Sequence, residues 1–144
     1  MENQIRIDRA IEDAKFGDTL PALIELEEMV RVSNQPKVLA WLGYCLAKEK
    51  QEFSRALVLC SSAVDSAPDD GDMYLALGKV YRLTGRRYQA LTTLRKGLKM
   101  GRNELIVQEI TSMGLRKEPV FNFLERGNIL NVMAGRVMTR MGMR

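Results

Sequence analysis

Residues 90–94, Ala90-Leu91-Thr92-Thr93-Leu94, repeat a pattern met twice before: Ala56-Leu57-Val58-Leu59-Cys60 and Ala22-Leu23-Ile24-Glu25-Leu26. Each copy lies 34 residues after the last, and the same step carries Met29 to Ala63 to Gly97 and Val30 to Val64 to Leu98. Five matched columns of small or apolar residues, spaced as one face of a helix, define packed helix faces. A period in the thirties built from helix-length segments means a stacked array of helical hairpins.

Working outward, each repeat opens with a helix preceding the conserved-period one. Ile7, Ala10, Ile11 and Ala14 make the stripe of the first, closed by Phe16-Gly17-Asp18, where Gly allows the left-handed conformation that ends a helix. A second helix starts near Thr19 with Pro21 in its first turn. Its outer residues Glu25, Glu27, Glu28 and Arg31 read as a solvated acidic face. Pro36 opens the third helix, with Leu39, Leu42, Gly43 and Leu46 on one stripe. Lys48 to Glu52 turns the chain, and Ala67-Pro68 ends the fourth helix because Pro cannot continue one. Tyr74, Leu77, Gly78 and Tyr81 repeat the design before Thr84-Gly85 and a sixth helix.

Leu39-x-x-Leu42-Gly43 with Ala56, Cys60, Ala63 and Pro68 resembles a tetratricopeptide repeat. Tyr74-x-x-Leu77-Gly78-x-x-Tyr81 with Gly85, Ala90 and Leu94 is similar to that family more closely still. Residues about 3–35 resemble a degenerate first copy, followed by 36–69 and 70–102. The departures are one extra residue within Lys48–Gln51, Gly97 in place of Ala, and Met100-Gly101-Arg102 without the closing Pro. The resemblance implies an all-α fold, a right-handed superhelical array of antiparallel helix hairpins. Residues 103–144 are expected to cap it. They hold a helix over Glu104–Met113, a short one from Pro119 with Val120, Phe123 and Leu124, and a last one after Asn128. On that last helix Ile129, Met133, Arg136, Val137 and Arg140 form a basic amphipathic face, suited to capping, to docking a partner or second copy, or to a lipid surface.

The resemblance also implies a concave groove lined by the first helix of each pair. Carried over helix by helix, its wall is Ile7 and Ile11, then Ala40, Trp41, Tyr44 and Lys48, then Leu75, Lys79 and Arg82. That wall suits a peptide with apolar anchors and an acidic end. Trp41 and Tyr44 have packing between repeats as their alternative use. The Lys and Asn arrangement with which some members grip a terminal carboxylate is absent, since Ile7, Ile11, Ala40 and Leu75 stand there.

Composition narrows the function. The 144 residues contain no histidine, which removes the commonest general base and zinc ligand. Cys45 and Cys60 are too few for a disulfide framework, and Cys60 stands in a leucine column as a small apolar residue. No Gly-rich phosphate loop is present. The expectation is a non-enzymatic protein that needs no metal or cofactor and binds a protein or peptide as scaffold, adaptor or chaperone. The first residues lack the basic-then-apolar pattern of a secretion signal and no apolar run spans a bilayer, so a cytoplasmic location is expected. Residues 1–72 hold 14 acids and 8 bases, residues 73–144 hold 4 acids and 14 bases. This polarity supports a second reading, head-to-tail self-assembly. The cluster Arg82, Arg86, Arg87, Arg95, Lys96, Lys99 and Arg102 supports a third, nucleic-acid binding, though only Tyr81 and Tyr88 are near it as aromatic platforms.

Overall fold

The 34-residue columns fall where two helices cross. In the structure, a computed structural model that describes residues 1–114, Ala22, Ala56 and Ala90 are each 0 % exposed, as are Leu26, Cys60 and Leu94 one turn further on. Met29, Ala63 and Gly97 follow in the same buried position. Val30, Val64 and Leu98 sit half-buried at the edge of each crossing. The thiol of Cys60 donates to the carbonyl of Ala40 at 3.2 Å, and burial pushes it far above the ordinary thiol range. It behaves as a core residue.

Among the described residues there are seven helices and no strand: α1 (Glu2–Lys15), α2 (Thr19–Met29), α3 (Pro36–Lys50), α4 (Phe53–Ser66), α5 (Gly71–Leu83), α6 (Arg87–Lys99) and α7 (Glu104–Ser112). Turns of two or three residues join α1 to α2, α3 to α4 and α5 to α6, and each of these pairs packs on itself. Successive pairs meet through α2 with α3 and α4 with α5, and the first helices lie against one another, α1 on α3 and α3 on α5. Helix α7 packs on α5 and α6, burying Ile106, Ile110 and Met113. No described helix has backbone neighbours beyond the next two in the chain, so order in sequence becomes order in space. Pro36 opens α3 where its missing N–H is no loss. Asp70 and Asn103 cap α5 and α7, accepting from the amides of Asp72 and of Leu105 and Ile106.

The departures noted in the sequence have local causes. The extra residue of the second repeat lengthens α3 to 15 residues against 13 in α5. The turn then falls on Gln51, which takes the left-handed conformation (φ 57°) that Gly17 and Gly85 take 34 residues to either side. Gly97 replaces Ala because a Cβ there would come within 2.8 Å of both Tyr74 Cβ and Ile106 Cδ1. The Tyr74 atom is fixed to its backbone and cannot yield. The short helix at Pro119 and the final basic helix with Ile129, Met133, Arg136, Val137 and Arg140 lie outside the described residues.

A non-Gly residue in the left-handed region costs roughly 1–2 kcal/mol, while Gly adds unfolded-chain entropy worth about 0.5–1 kcal/mol. Gln51→Gly is therefore expected to stabilise the protein by about 0.5–1 kcal/mol, raising the melting temperature by a few degrees on calorimetry. A lowered or unchanged melting temperature would show that Gln51 carries no strain.

Candidate functional site

The expected groove wall resolves into two kinds of residue. Ile7, Ala40, Trp41 and Leu75 are at most 1 % exposed and Ile11 is 5 % exposed, so none of the five can touch a ligand. The reason is the close side-by-side packing of α1, α3 and α5, which swallows the shorter and inward-turned side chains at those positions. Trp41 is wholly interior, and its indole N–H has no acceptor among the described residues. Ile7, Ile11, Ala40 and Leu75 are therefore core residues and not an exposed groove floor, and Trp41 takes its alternative use, packing between repeats. Lys48 is exposed. Tyr44, Lys79 and Arg82 are long enough to reach past the helix contacts.

Tyr44 and Lys79 line a recess of about 380 Å³ on the first-helix side, which Arg82 meets only through its pairing with Glu109. Its lining comes from the end of α1 and its turn (Lys15, Phe16, Gly17), from α3 (Tyr44), from α5 (Lys79) and from α7 (Leu105, Gln108, Glu109, Ser112). A larger depression of about 440 Å³ lies on the first pair alone, between α1 and α2, where Arg6 is already engaged by Glu25 and Glu28. The recess is the better candidate because residues more than 60 positions apart in sequence converge on it.

Tyr44 is its best-buried member, 6 % exposed, with its ring edge-on to Trp41 at 5.9 Å between centroids. The ammonium of Lys79 stands 5.2 Å over the Tyr44 ring, within cation–π range. Burial, helped by the negative charge of Glu109, pushes the Tyr44 hydroxyl up to about 12, so it remains a neutral hydrogen-bonding group. Lys79 and Arg82, expected to receive an acidic ligand, hold a partner from the chain itself. Lys79 meets one Glu109 oxygen at 3.1 Å and Arg82 the other at 2.8 Å, and Arg82 also donates to the Ser112 hydroxyl. Burial raises the Glu109 carboxyl, but the hydrogen bond from Arg82 and the charge of Lys79 outweigh it and hold it below its usual 4.5.

The opposite rim is set by Lys15. It reaches past α3, 5.8 Å over the Trp41 ring, to an Asp72 oxygen at 2.9 Å. The other Asp72 oxygen accepts from the side chain of Asn103. Burial lowers the Lys15 ammonium, yet Asp72 and Glu12 more than restore it and leave it raised. One carboxylate thus ties the first pair, the third pair and the start of α7. Phe16 is 70 % exposed beside this tie.

Reasoning from the sequence missed Lys15, Phe16 and all the α7 residues. Phe16 is an aromatic in a turn where the other repeats have Lys50 and Thr84, a mismatch visible in the columns. Glu109 is one of only four acids among residues 73–144. Its pairing is a product of tertiary packing and left no periodic trace.

No protein-family model matches the chain, and no curated protein matches it. Among the described residues no group of three or more His, Cys, Asp or Glu is placed to hold a metal ion.

Because the folded-state pKa of Glu109 is depressed, the stability it contributes is complete above about 4.5 and is lost as the pH falls through the folded value. Glu109→Gln should melt several degrees below wild type at neutral pH. That gap should close as the pH drops through the carboxylate range. A gap that is the same at neutral and acid pH would mean that the Lys79–Glu109–Arg82 cluster contributes nothing through charge.

Proposed function

We propose that this chain is a non-enzymatic, tetratricopeptide-like binding module, a right-handed superhelical stack of three hairpins that takes a protein or peptide segment on its first-helix side. The observation that carries this reading is the recess, where Phe16, Tyr44 and Leu105 offer apolar surface beside Lys15, Gln108 and Ser112. A mostly apolar concavity with a few convergent polar groups is the usual form of a binding site. An extended segment placing one apolar side chain against Phe16 and its backbone against Gln108 and Ser112 fits that chemistry. The partner is a protein handled as cargo or client by a scaffold, adaptor or chaperone, with the cytoplasm as the proposed setting. No described helix is long and apolar enough to cross a membrane.

The rival reading, charge-driven stacking of copies, has less to draw on. The acids of α2 that would serve it are already engaged, Glu25 and Glu28 by Arg6 and Glu27 by Lys50.

The test is selection of displayed random peptides on the immobilised chain, with affinities then measured for Phe16→Ser. Phe16 is exposed, so the substitution leaves the core intact. Loss of a central aromatic anchor typically costs 1–2 kcal/mol or more, so roughly tenfold weaker binding is expected. Failure to enrich any peptide, or enriched peptides that bind Phe16→Ser as tightly as wild type, would sink the assignment of this recess.

A further inference from the structure

We propose that the outer face of α6 is a docking surface for an anionic lipid bilayer. This inference stands apart from the recess and does not rest on it. Helix α6 turns Ala90, Thr93, Leu94 and Gly97 into the core. At 100° per residue, Tyr88, Arg95 and Lys99 fall within a narrow strip on the opposite side, with Lys96 next to it. All four are exposed, Tyr88 at 80 %, and Arg86 is exposed at the helix start. The strip from Tyr88 to Lys99 runs about 16 Å along the helix axis.

The charge on this face is uncompensated. No acid occurs between Arg87 and Lys99. Among the described residues, no carboxylate lies in ion-pair range of Arg86, Arg95, Lys96 or Lys99, whereas Arg6, Lys15, Lys37, Lys50 and Arg55 each hold one or two. Like charges three and four residues apart on a helix repel one another, so this face is held at a cost that an external anion relieves. A second copy is a poorer source of that anion, because the acidic face of α2 is already engaged by Arg6 and Lys50. The exposed acids left without an ion pair among the described residues, such as Asp18, Asp65 and Asp69, are scattered over separate turns and helix ends.

Of the polyanions, a phosphate-bearing membrane suits the geometry best. The cations are long, solvated and spread along one helix with no polar pocket between them. Such an arrangement attracts a charged plane and reads no bases. Single-stranded nucleic acid is gripped by several aromatic platforms along a groove, and this face offers one ring at one end. A lone exposed tyrosine is apt at a lipid interface, its ring among the acyl ends of the headgroups and its hydroxyl in water.

Cosedimentation of the full chain with phosphatidylcholine vesicles, with and without phosphatidylserine, tests this. The chain should partition onto the phosphatidylserine vesicles only, and the partition should weaken steeply from low to physiological salt. The triple variant Arg95→Gln, Lys96→Gln, Lys99→Gln alters only exposed side chains, and its helix content is checked by circular dichroism. Its partition should fall on the order of a hundredfold, since each basic residue near an anionic surface is worth about fivefold. Tyr88→Ser should reduce it further in the same assay. Three outcomes would overturn the proposal: no preference for the anionic vesicles, an unchanged partition for a correctly folded triple variant, or retention of a single-stranded RNA oligonucleotide at salt where vesicle binding has vanished.

Discussion

Everything in this molecule depends on how closely the two helices of a pair approach. Ala22, Ala56 and Ala90 allow the second helix to come in, and the first helix answers with an equally small residue. A Cβ added at Gly43 would lie 2.8 Å from Cys60 Sγ and 3.0 Å from the carbonyl of Ala56. One added at Gly78 would meet Leu94 at 2.5 Å, and Ala10 holds the corresponding buried place in the first pair. The Gly43 backbone thus lies against the backbone of α4 and the Gly78 backbone against the Leu94 side chain, and packing this close restricts the angle at which each pair closes. Once each pair is fixed, pairs can only pile up in chain order, and the face they share is decided.

That constraint was legible in the sequence because it is periodic. The alanine columns, the Pro at the start of α3, and the glycine turns at Gly17 and Gly85 all announce themselves by spacing. The αL residue at Gln51 did not, since glutamine gives no sign of a positive φ, although its place midway between the two glycines marks it in retrospect. The site was less legible for a geometrical reason. The second helices keep a strict step of 34, but the first helices step by 33 and then 35, as Ala10, Gly43 and Gly78 show. The reading kept Ile7, Ala40 and Leu75 in register and still assigned them to the open side. They vanish between neighbouring first helices, and only the long side chains of Tyr44, Lys79 and Arg82 emerge. Helix α7 has no counterpart in the repeats, so its share of the recess could not be read from any column.

Charge followed the same division. The excess of acid in the first half and of base in the second was visible by counting. The pairing was not, because it joins residues far apart: Lys15 with Asp72, 57 residues away, and Lys79 and Arg82 with Glu109. Each of these bridges joins residues of the same half of the chain, so the excess of acid and the excess of base both stand, while the acids of α2 and the cations Lys79 and Arg82 are engaged locally. Among the described residues, Arg95, Lys96 and Lys99 of α6 have no carboxylate in ion-pair range.

The central claim is that three helix crossings 34 residues apart are physically the same crossing. Replacing Ala22, Ala56 and Ala90 by Leu, one at a time, tests it most directly, with Ser54→Leu on an exposed position as the control and melting temperature as the readout. Overpacking at a closed crossing costs about 1–3 kcal/mol, so all three should melt several degrees lower and by similar amounts, and the control should not. If any of the three accepts leucine as readily as position 54 does, that crossing is not closed and the stack does not repeat.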